Sequence, residues 1–368
     1  MATRTQSAPR FEPPFCPNPK CKYHRDLTVG WRWKRAGYFH RQQAPQVIPR
    51  FTCRCCGRSF STQTFSTTYW LKRADLPALI FMKAVGGMAN RQIARDVRAA
   101  PSTIDRLLAR IGRHCLLLHA ALARDAIPSG PVVLDSFESF EWSQFFPFQH
   151  HLLVEADTAF LLHFTDSPLR RKGRMTRAQK RRREELECSL GRPDPGAVEK
   201  DVSHLLQAAL GNVPAVTLRS DDHRAYPRAL ASLQCAVEHH VTSSRARRDA
   251  HNPLFEINLV DLLIRHSQAN HRRETLAWSK RRQGSAERLA IFLVWRNYMK
   301  RRWEKSERRT PAMLKGLLPA PLRVQDVLET RLFRTRVAIP ARWDAYYRRT
   351  VQTPVLSRNA AHNLVYAF

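Results

Sequence analysis

An α/β protein built on a mixed five-stranded sheet with helices, preceded by two small modules, is predicted by three observations. From residue 131 onward, short β-branched runs come first as three strands in a row and then alternate with helical spacing. Two of those runs end in aspartate. Ahead of them stand two cysteine pairs flanking a stretch rich in aromatic and basic residues, and then a helical pattern interrupted at Gly86-Gly87.

The chain has 368 residues and 43% hydrophobic content, enough for two or three domains and a sizeable core. Lys and Arg number 62 against 31 Asp and Glu, a formal net charge of +31, which argues for a polyanionic partner. Nucleic acid fits best. No run approaches about 20 apolar residues and no basic amphipathic helix stands apart, so no membrane partner is expected. The N-terminus MATRTQSAPRF lacks the apolar centre of a signal peptide. Eight cysteines in a chain this long do not read as a disulfide framework, and a reducing, cytoplasmic compartment follows.

The first module, residues 12–65, carries Cys16 and Cys21 in CPNPKC and Cys53 and Cys56 in FTCRCCGRSFS. Two tight knuckles, the second followed by Gly57, supply the four soft ligands of a tetrahedral structural Zn²⁺, so a zinc ribbon is predicted. The first pair is wider than usual, which leaves His24 as a substitute ligand and Cys55 as a competitor of Cys53. Arg50, Arg54 and Arg58 surround the second knuckle, either touching phosphate or forming a solvated face.

The second module, residues 72–125, reads as a helix-turn-helix. A short helix fits Asn90 to Val97, a turn Ala99-Ala100-Pro101, and a second helix opens with Ser102 as N-cap and Asp105 completing a capping box. In such a unit the second helix enters the major groove, which makes Ser102, Thr103, Arg106 and Arg110 the expected DNA-contacting residues.

Residues 128–305 hold the sheet. VVLDSFESF, HHLLVEA and AFLLHFT form a meander, followed by a helix over Val198 to Leu210, the strand VTLRS, a helix over Ala225 to Leu233 and the strand CAVEHH. The order βββαβαβα is that of a ribonuclease-H-like domain, in which the first and fourth strands are neighbours. Asp135 and Asp221, at the tips of those two strands, would then meet and offer hard oxygen ligands to Mg²⁺ or Mn²⁺. Between strand three and the next helix, within an insertion over 168–196, Arg170 to Arg183 contains nine basic residues and no acid. It reads as an exposed basic segment suited to tracking phosphate. A helix starting at Asn252-Pro253 lines Asn258, Asp261, Arg265, Gln268 and Arg272 on one polar face. Ala286 to Arg302 reads as an amphipathic helix, the segment 306–368 is unassigned, and lone residues such as His239, His240 and Trp278 read as structural.

A zinc ribbon, a helix-turn-helix and a ribonuclease-H-like domain in this order resemble bacterial insertion-sequence transposases of the DDE class. CPNPKC with CRCCGRSFS, LDSFESF, SDDHRAY, and NPLFEINLVDLLIR leading to HRRETLAWSKRR carry the resemblance over about Cys16 to Lys300. It implies Asp135 and Asp221 as the first two catalytic acids, with Asp222 ranked behind Asp221. The third departs from the family pattern of a Glu followed seven residues later by Lys or Arg: Arg265 stands seven after Asn258, whereas Glu256 is followed by Leu263. Asn258 is preferred, with Glu256 and Asp261 left open. The resemblance further implies magnesium-dependent strand cleavage and strand transfer, double-stranded DNA as partner both as element ends and as target, a dimer or higher oligomer in the DNA complex, and a bacterial, nucleoid-associated location. Two rivals stand beside it: a non-catalytic zinc-ribbon and helix-turn-helix regulator descended from a transposase, and a structure-specific nuclease without strand transfer.

Overall fold

A computed structural model of the protein describes residues 11–27, 30–42, 44–305 and 308–360. The N-terminal module is an antiparallel sheet of β1 (Trp33–His40), β2 (Val47–Cys53) and β3 (Ser59–Ser61). The stacked rings of Phe51 and Phe60, 5.6 Å apart, and Phe65 fill its small core. Phe333, far along the chain, completes that core, and the Arg331 amide donates to the Phe65 carbonyl at 2.9 Å. So small a module buries too little apolar surface to stand alone, and it leans on a neighbour.

Three helices follow: α1 (Leu76–Val85), α2 (Asn90–Asp96) and α3 (Pro101–Leu122). The start of α3 corrects the expected cap. Its N-cap is Ala100, and Pro101 occupies the first turn, where a missing N–H costs nothing, so Ser102 caps nothing. Asp105 closes no capping box either. It accepts from Asn90 Nδ2 at 2.7 Å and ties α2 to α3.

The large sheet runs in the order β6-β5-β4-β7-β8, from β4 (Val132–Phe140), β5 (Pro147–Glu155), β6 (Leu161–Pro168), β7 (Ala215–Asp221) and β8 (Ala236–Thr242). The first three pair antiparallel, while β7 lies parallel to both β4 and β8. Leu134, Leu153 and Leu218 pack with Leu205 and Leu206 of α5 (Ala197–Leu210) and with Tyr226 of α6 (Ala225–Leu230). Val133, Phe137, Leu152 and Phe164 belong to a second cluster, with Ile257 and Ile264 of α7 (Phe255–Ser267) and Leu289 and Phe292 of α8 (Arg282–Val294). Ile80 of α1 and Leu108 of α3 are members of that same cluster, so the helix-turn-helix and the sheet share one continuous core.

Three further elements differ from expectation. The helix α7 begins at Phe255 rather than at Asn252-Pro253, because the Asn252 side chain accepts from the Leu254 amide at 2.8 Å and turns the chain first. It ends at Ser267, so Arg272 is off the helix, and Gln268 is fully buried and donates to the Arg288 carbonyl at 2.7 Å. Instead of an amphipathic helix, α8 runs into a π-helical turn over Trp295–Met299 and is buried on every side from Ser285 to Val294. Its polar residues have interior partners: Arg288 Nη1 donates to Asn90 Oδ1 at 2.6 Å, and Arg349 sits 2.9 Å from Glu287.

In the basic insertion, α4 (Arg177–Leu190) is capped by Thr176 and has no buried residue. The C-terminal segment forms α9 (Pro311–Leu314), α10 (Val324–Glu329) and α11 (Ala341–Arg348). From α11, Trp343 donates to the Phe164 carbonyl at 2.9 Å, and Arg342 reaches the fully buried Asp166 at 2.7 Å.

The crossing of α3 over α8 is unusually close. A Cβ built on Gly112 would lie 2.8 Å from the Glu287 carbonyl carbon. Alanine in a helix interior is ordinarily favoured over glycine by about 1 kcal/mol. Gly112→Ala is expected instead to destabilise the protein by about 1 to 3 kcal/mol, because the two helices must part. Denaturant titration with an unchanged slope checks this, and equal or greater stability would show the contact to be loose.

Candidate functional site

The four ribbon cysteines come together. Cys16 and Cys21 leave an irregular loop, Cys53 ends β2, and Cys56 follows in the turn closed by Gly57 at φ +69°. Their sulfurs all lie within 4.8 Å of one another, with Cys16 to Cys56 at 3.6 Å and Cys21 to Cys53 at 3.9 Å. Four thiolates at about 2.3 Å from a tetrahedral zinc stand about 3.8 Å apart, so the donor set and the spacing both suit Zn²⁺. Burial pushes the Cys21 thiol up to about 12. Burial also opposes ionisation of Cys53, but the Trp31 indole N–H, donating to its sulfur at 3.2 Å, and nearby backbone amides outweigh it and bring that thiol to about 7. The alternatives fall away on geometry. Cys55 is exposed and outside the cluster. Both His24 nitrogens are engaged, Nδ1 donating to the Cys16 carbonyl at 2.8 Å and Nε2 meeting the Thr335 hydroxyl at 2.6 Å.

On the helix-turn-helix, Ser102 and Arg106 are exposed at the start of α3 and Thr103 is half-buried beside them. Arg106 keeps only a local contact, Nε to the Ser102 carbonyl at 3.3 Å. Arg110, two turns from the start of the helix, faces inward instead. It donates to the Tyr69 carbonyl at 2.7 Å, and burial, with Arg331 and Arg113 nearby, lowers its pKa to about 10. Its guanidinium is thus turned to the Tyr69 carbonyl and away from the exposed face that holds Ser102 and Arg106.

The acids on β4 and β7 come side by side, with a correction to the expected geometry: Asp221 ends β7, but Asp135 lies within β4, which runs on to Phe140, at the point where its pairing with β7 stops. The parallel register pairs Leu134 with Ser220, so Asp135 and Asp221 follow as the next neighbours on β4 and β7. Asp135 is half-exposed at its surface yet crowded, and its pKa is raised to about 6: burial is the main cause, the Ser136 amide donating at 2.7 Å works against it, and the charges of Asp221 and Asp261 add to it. Asp261 is therefore the acid on α7 whose charge acts on Asp135. Its carboxylate is held by Arg265 at 3.1 Å, and one of its oxygens has no hydrogen-bond partner. Asn258 lies one turn nearer the start of α7 and is half-buried. Glu256 is bound elsewhere: it pairs with Arg302 at 2.8 Å, and Arg302 also reaches the Asp157 carbonyl, at the end of the sheet where β4 begins. Asp222 is exposed and turns to the Ser244 amide at 3.3 Å. Arg248, from the basic link after β8, contributes positive potential at Asp135.

A directed chain of hydrogen bonds fixes the backbone beside Asp135. Tyr226 donates to Ser136 Oγ at 2.9 Å, Ser136 to His151 Nδ1 at 2.7 Å, His151 Nε2–H to Ser167 Oγ at 2.7 Å, and Ser167 to Asp201 at 2.9 Å. Burial lowers the His151 pKa to about 3, so its ring is neutral, and because Ser167 gives its one hydroxyl proton to Asp201, His151 Nε2 donates to Ser167 and Nδ1 accepts from Ser136, which sets the direction of the chain. Beside Asp221 opens a groove of about 1380 Å³ lined by Arg170, Arg171, Lys172, Arg192 and Arg224. Glu138, Asp194 and Asp222 line it as well, so the basic residues of the insertion and Asp221 share one mixed-charge groove.

No protein-family model matches the sequence, and no curated protein matches it either. Among solved structures, the chain aligns with one described as the simian T-cell lymphotropic virus intasome in complex with PP2A regulatory subunit B56 gamma, at 16% identity and a TM-score of 0.24, covering 54% of this chain and 59% of that one. So loose a superposition leaves the site's own geometry to decide its chemistry. No helix among the described residues is long and apolar enough to cross a membrane.

The sequence weighed Asp261 only as an alternative, because spacing to the next basic residue favoured Asn258. The signal for it was its place on the same polar stripe, one turn closer to the end of the helix. For the cysteine cluster, purified protein is expected to hold one zinc per chain, and a Cys53→Ser, Cys56→Ser double variant to lose it along with the order of the ribbon. Metal analysis by mass spectrometry decides, and equal zinc in both would remove the assignment.

Proposed function

We propose that the protein is a DNA-cleaving and strand-transferring enzyme of the DDE transposase type, with Asp135, Asp221 and Asp261 as its metal-binding acids. The observation that carries this is the adjacency of Asp135 and Asp221 on parallel strands, with the charge of Asp261 on α7 acting on Asp135, in a protein of net charge +31. The strand order, which sets the first strand of the sheet beside the fourth, is that of a ribonuclease-H-like domain and supports the same reading. Asp261 takes the third place ahead of Asn258 because its charge acts on Asp135 and one of its oxygens is unpartnered. Glu256 is set behind it because its partner Arg302 also holds the Asp157 carbonyl, at the end of the sheet where β4 begins.

Burial first, and the charges of Asp221 and Asp261 after it, disfavour the ionised form of Asp135, and a divalent cation on these hard carboxylate oxygens would offset both. Bound there, Mg²⁺ or Mn²⁺ would supply Lewis-acid stabilisation of the attacking and leaving oxygens of an in-line displacement. The chain's own residues do the rest. Arg265 orients Asp261, the Tyr226-to-Asp201 chain holds the Ser136 amide on Asp135, and the basic residues of the groove beside Asp221 hold phosphates in line with the acids. The ribbon, with Arg50, Arg54 and Arg58, and the exposed start of α3 with Ser102, Thr103 and Arg106, supply binding to the element ends.

Two measurements follow. In buffer free of divalent cations, Asp135 with a folded pKa of about 6 against an ordinary 3.8 favours the native state fully below the ordinary value, and that contribution is lost as pH rises through 6. About 2 pK units correspond to about 3 kcal/mol. Wild-type stability relative to Asp135→Asn should therefore fall between pH 4 and pH 7, and millimolar Mg²⁺ should raise the Tm of the wild type but not of the variant; parallel pH curves would break the cluster.

On DNA bearing the element ends, Asp135→Ala and Asp221→Ala should each lower cleavage by about 10² to 10³-fold with DNA binding intact, consistent with several kcal/mol of metal-derived stabilisation. Asp261→Asn should approach them while Asn258→Ala stays milder. Cleavage that survives in both aspartate variants would leave the non-catalytic regulator as the better reading.

A further inference from the structure

The edge strand β6, two strands away from the Asp135-bearing β4, is bound by the C-terminal helix α11. Trp343 Nε1 donates to the Phe164 carbonyl at 2.9 Å and Arg342 Nη2 to the Asp166 carbonyl at 3.1 Å, so the helix is fastened to the backbone of that strand at two points. Arg342 also grips the Asp166 carboxylate, with Nε at 3.0 Å and Nη2 at 2.7 Å from the same oxygen. The helix is held from its other side as well. Asp344 pairs with Arg334 at 2.7 Å, in the stretch of chain that contributes Phe333 to the core of the ribbon.

Arg342 has a second carboxylate in its field. Successive side chains of a strand point to opposite faces, so Ser167, next after Asp166, turns towards α5 and donates to Asp201 Oδ2 at 2.9 Å. The Asp201 side chain is only 14% exposed, and burial pushes its pKa up; the charge of Arg342 is the first thing that opposes burial, ahead of the Ser167 hydroxyl. Asp166 adds to the rise, Arg282 works against it, and His204 Nδ1 stands 3.9 Å from the other Asp201 oxygen. Asp201 is where the hydrogen-bond chain from Asp135 ends. An ionised carboxylate can only accept, which makes Ser167 the donor to Asp201, leaves the His151 proton on Nε2 and makes Ser136 the donor to Nδ1. A protonated Asp201 would turn every link round: Asp201 to Ser167, Ser167 to His151 Nε2, His151 Nδ1–H to Ser136, and Ser136 to the Tyr226 hydroxyl. Ser136 is the residue whose amide holds Asp135 Oδ1 at 2.7 Å.

We propose that Arg342 is a positioning residue for the acid cluster: its charge beside Asp201 sets the direction of the chain through Ser167, His151 and Ser136, and so fixes how Asp135 is presented to a divalent cation. The proposal rests on the metal-binding reading of Asp135 above and makes α11 part of the framework of that site. Loss of a group that touches a metal-binding carboxylate typically weakens the metal about 10- to 100-fold; Arg342 acts through further groups, so a smaller change of about three- to tenfold is expected.

The test uses the full chain at neutral pH and fixed salt, with Mn²⁺ as the probe and with the histidine ring nitrogens isotopically labelled for NMR. In the wild type His151 should show a bare Nδ1 and a protonated Nε2, its signals assigned by their loss in His151→Gln. Arg342→Gln should bring in the opposite tautomer and raise the Mn²⁺ dissociation constant about three- to tenfold, and Arg342→Lys, which keeps the charge, should restore both. Ser167→Ala cuts the chain without touching α11. It should weaken Mn²⁺ to the same extent, and adding Arg342→Gln to it should weaken Mn²⁺ no further, because both act through one path. An unchanged tautomer or an unchanged affinity in Arg342→Gln overturns the proposal, and so does additive weakening in the double variant, which would make Arg342 a general support of the fold. Should Arg342→Gln fail to fold, an unchanged Mn²⁺ affinity in Ser167→Ala overturns it alone. Wild-type protein that binds no Mn²⁺ removes the metal-binding reading, and the His151 tautomers in wild type and Arg342→Gln then decide the positioning by themselves.

Discussion

The backbone contact between α3 and α8 at Gly112 is the constraint on which the other placements depend. With no side chain there, α3 settles onto the Glu287 backbone, and Arg288, one residue on, passes between the helices to reach Asn90, the Ala84 carbonyl at 3.1 Å and the Met88 carbonyl at 3.2 Å. Those carbonyls belong to the end of α1 and the turn before α2, groups that helix geometry leaves unpaired. A single buried guanidinium from the sheet domain thus satisfies the helix-turn-helix from within. The two cannot rotate independently, so the exposed start of α3 keeps a fixed direction relative to the acid cluster.

The same economy governs the acids that are not at the site. Asp166 is fully buried on the sheet face opposite α5, and burial alone would raise its pKa. Arg282 at 3.2 Å and Arg342 at 2.7 Å outweigh burial and hold it at about 2, with Tyr346 donating as well. A charge that deep persists only with its partners, and losing one of them leaves the other uncompensated. One partner comes from the C-terminal segment, which also lends Phe333 and Thr335 to the ribbon. That segment acts as a clasp between the first module and the sheet rather than as an appendage.

Asp135 stands in contrast to Asp166. Its neighbours are acids, its one strong donor is a backbone amide, and its nearest cationic influence is Arg248 from a link between elements. One carboxylate is fully neutralised within the fold while the other is left in want of positive charge, and the difference is one of arrangement, not of residue type. The excess of positive charge on the molecule is spent elsewhere, on the insertion and the groove beside Asp221.

The sequence by itself determined the local pieces. Cysteine spacing marked the knuckles, and short apolar and β-branched runs marked all five strands of the large sheet, because each of these signals is written in neighbouring residues. Pairing order followed as well, since a meander followed by strand–helix–strand leaves few ways to build a right-handed sheet. What only the tertiary structure decided were matters of distant partners. Arg110 and Arg106 share a helix and a residue type, yet the Tyr69 carbonyl, 41 residues away, turns one inward. Glu287 and Arg288 look like a solvent face until Arg349 and Asn90 arrive to bury them. The charge of Asp261 acts on Asp135 only once α7 is laid across β4, because a difference of one helical turn decides which side chain comes near that strand, and no spacing within the helix carries that information.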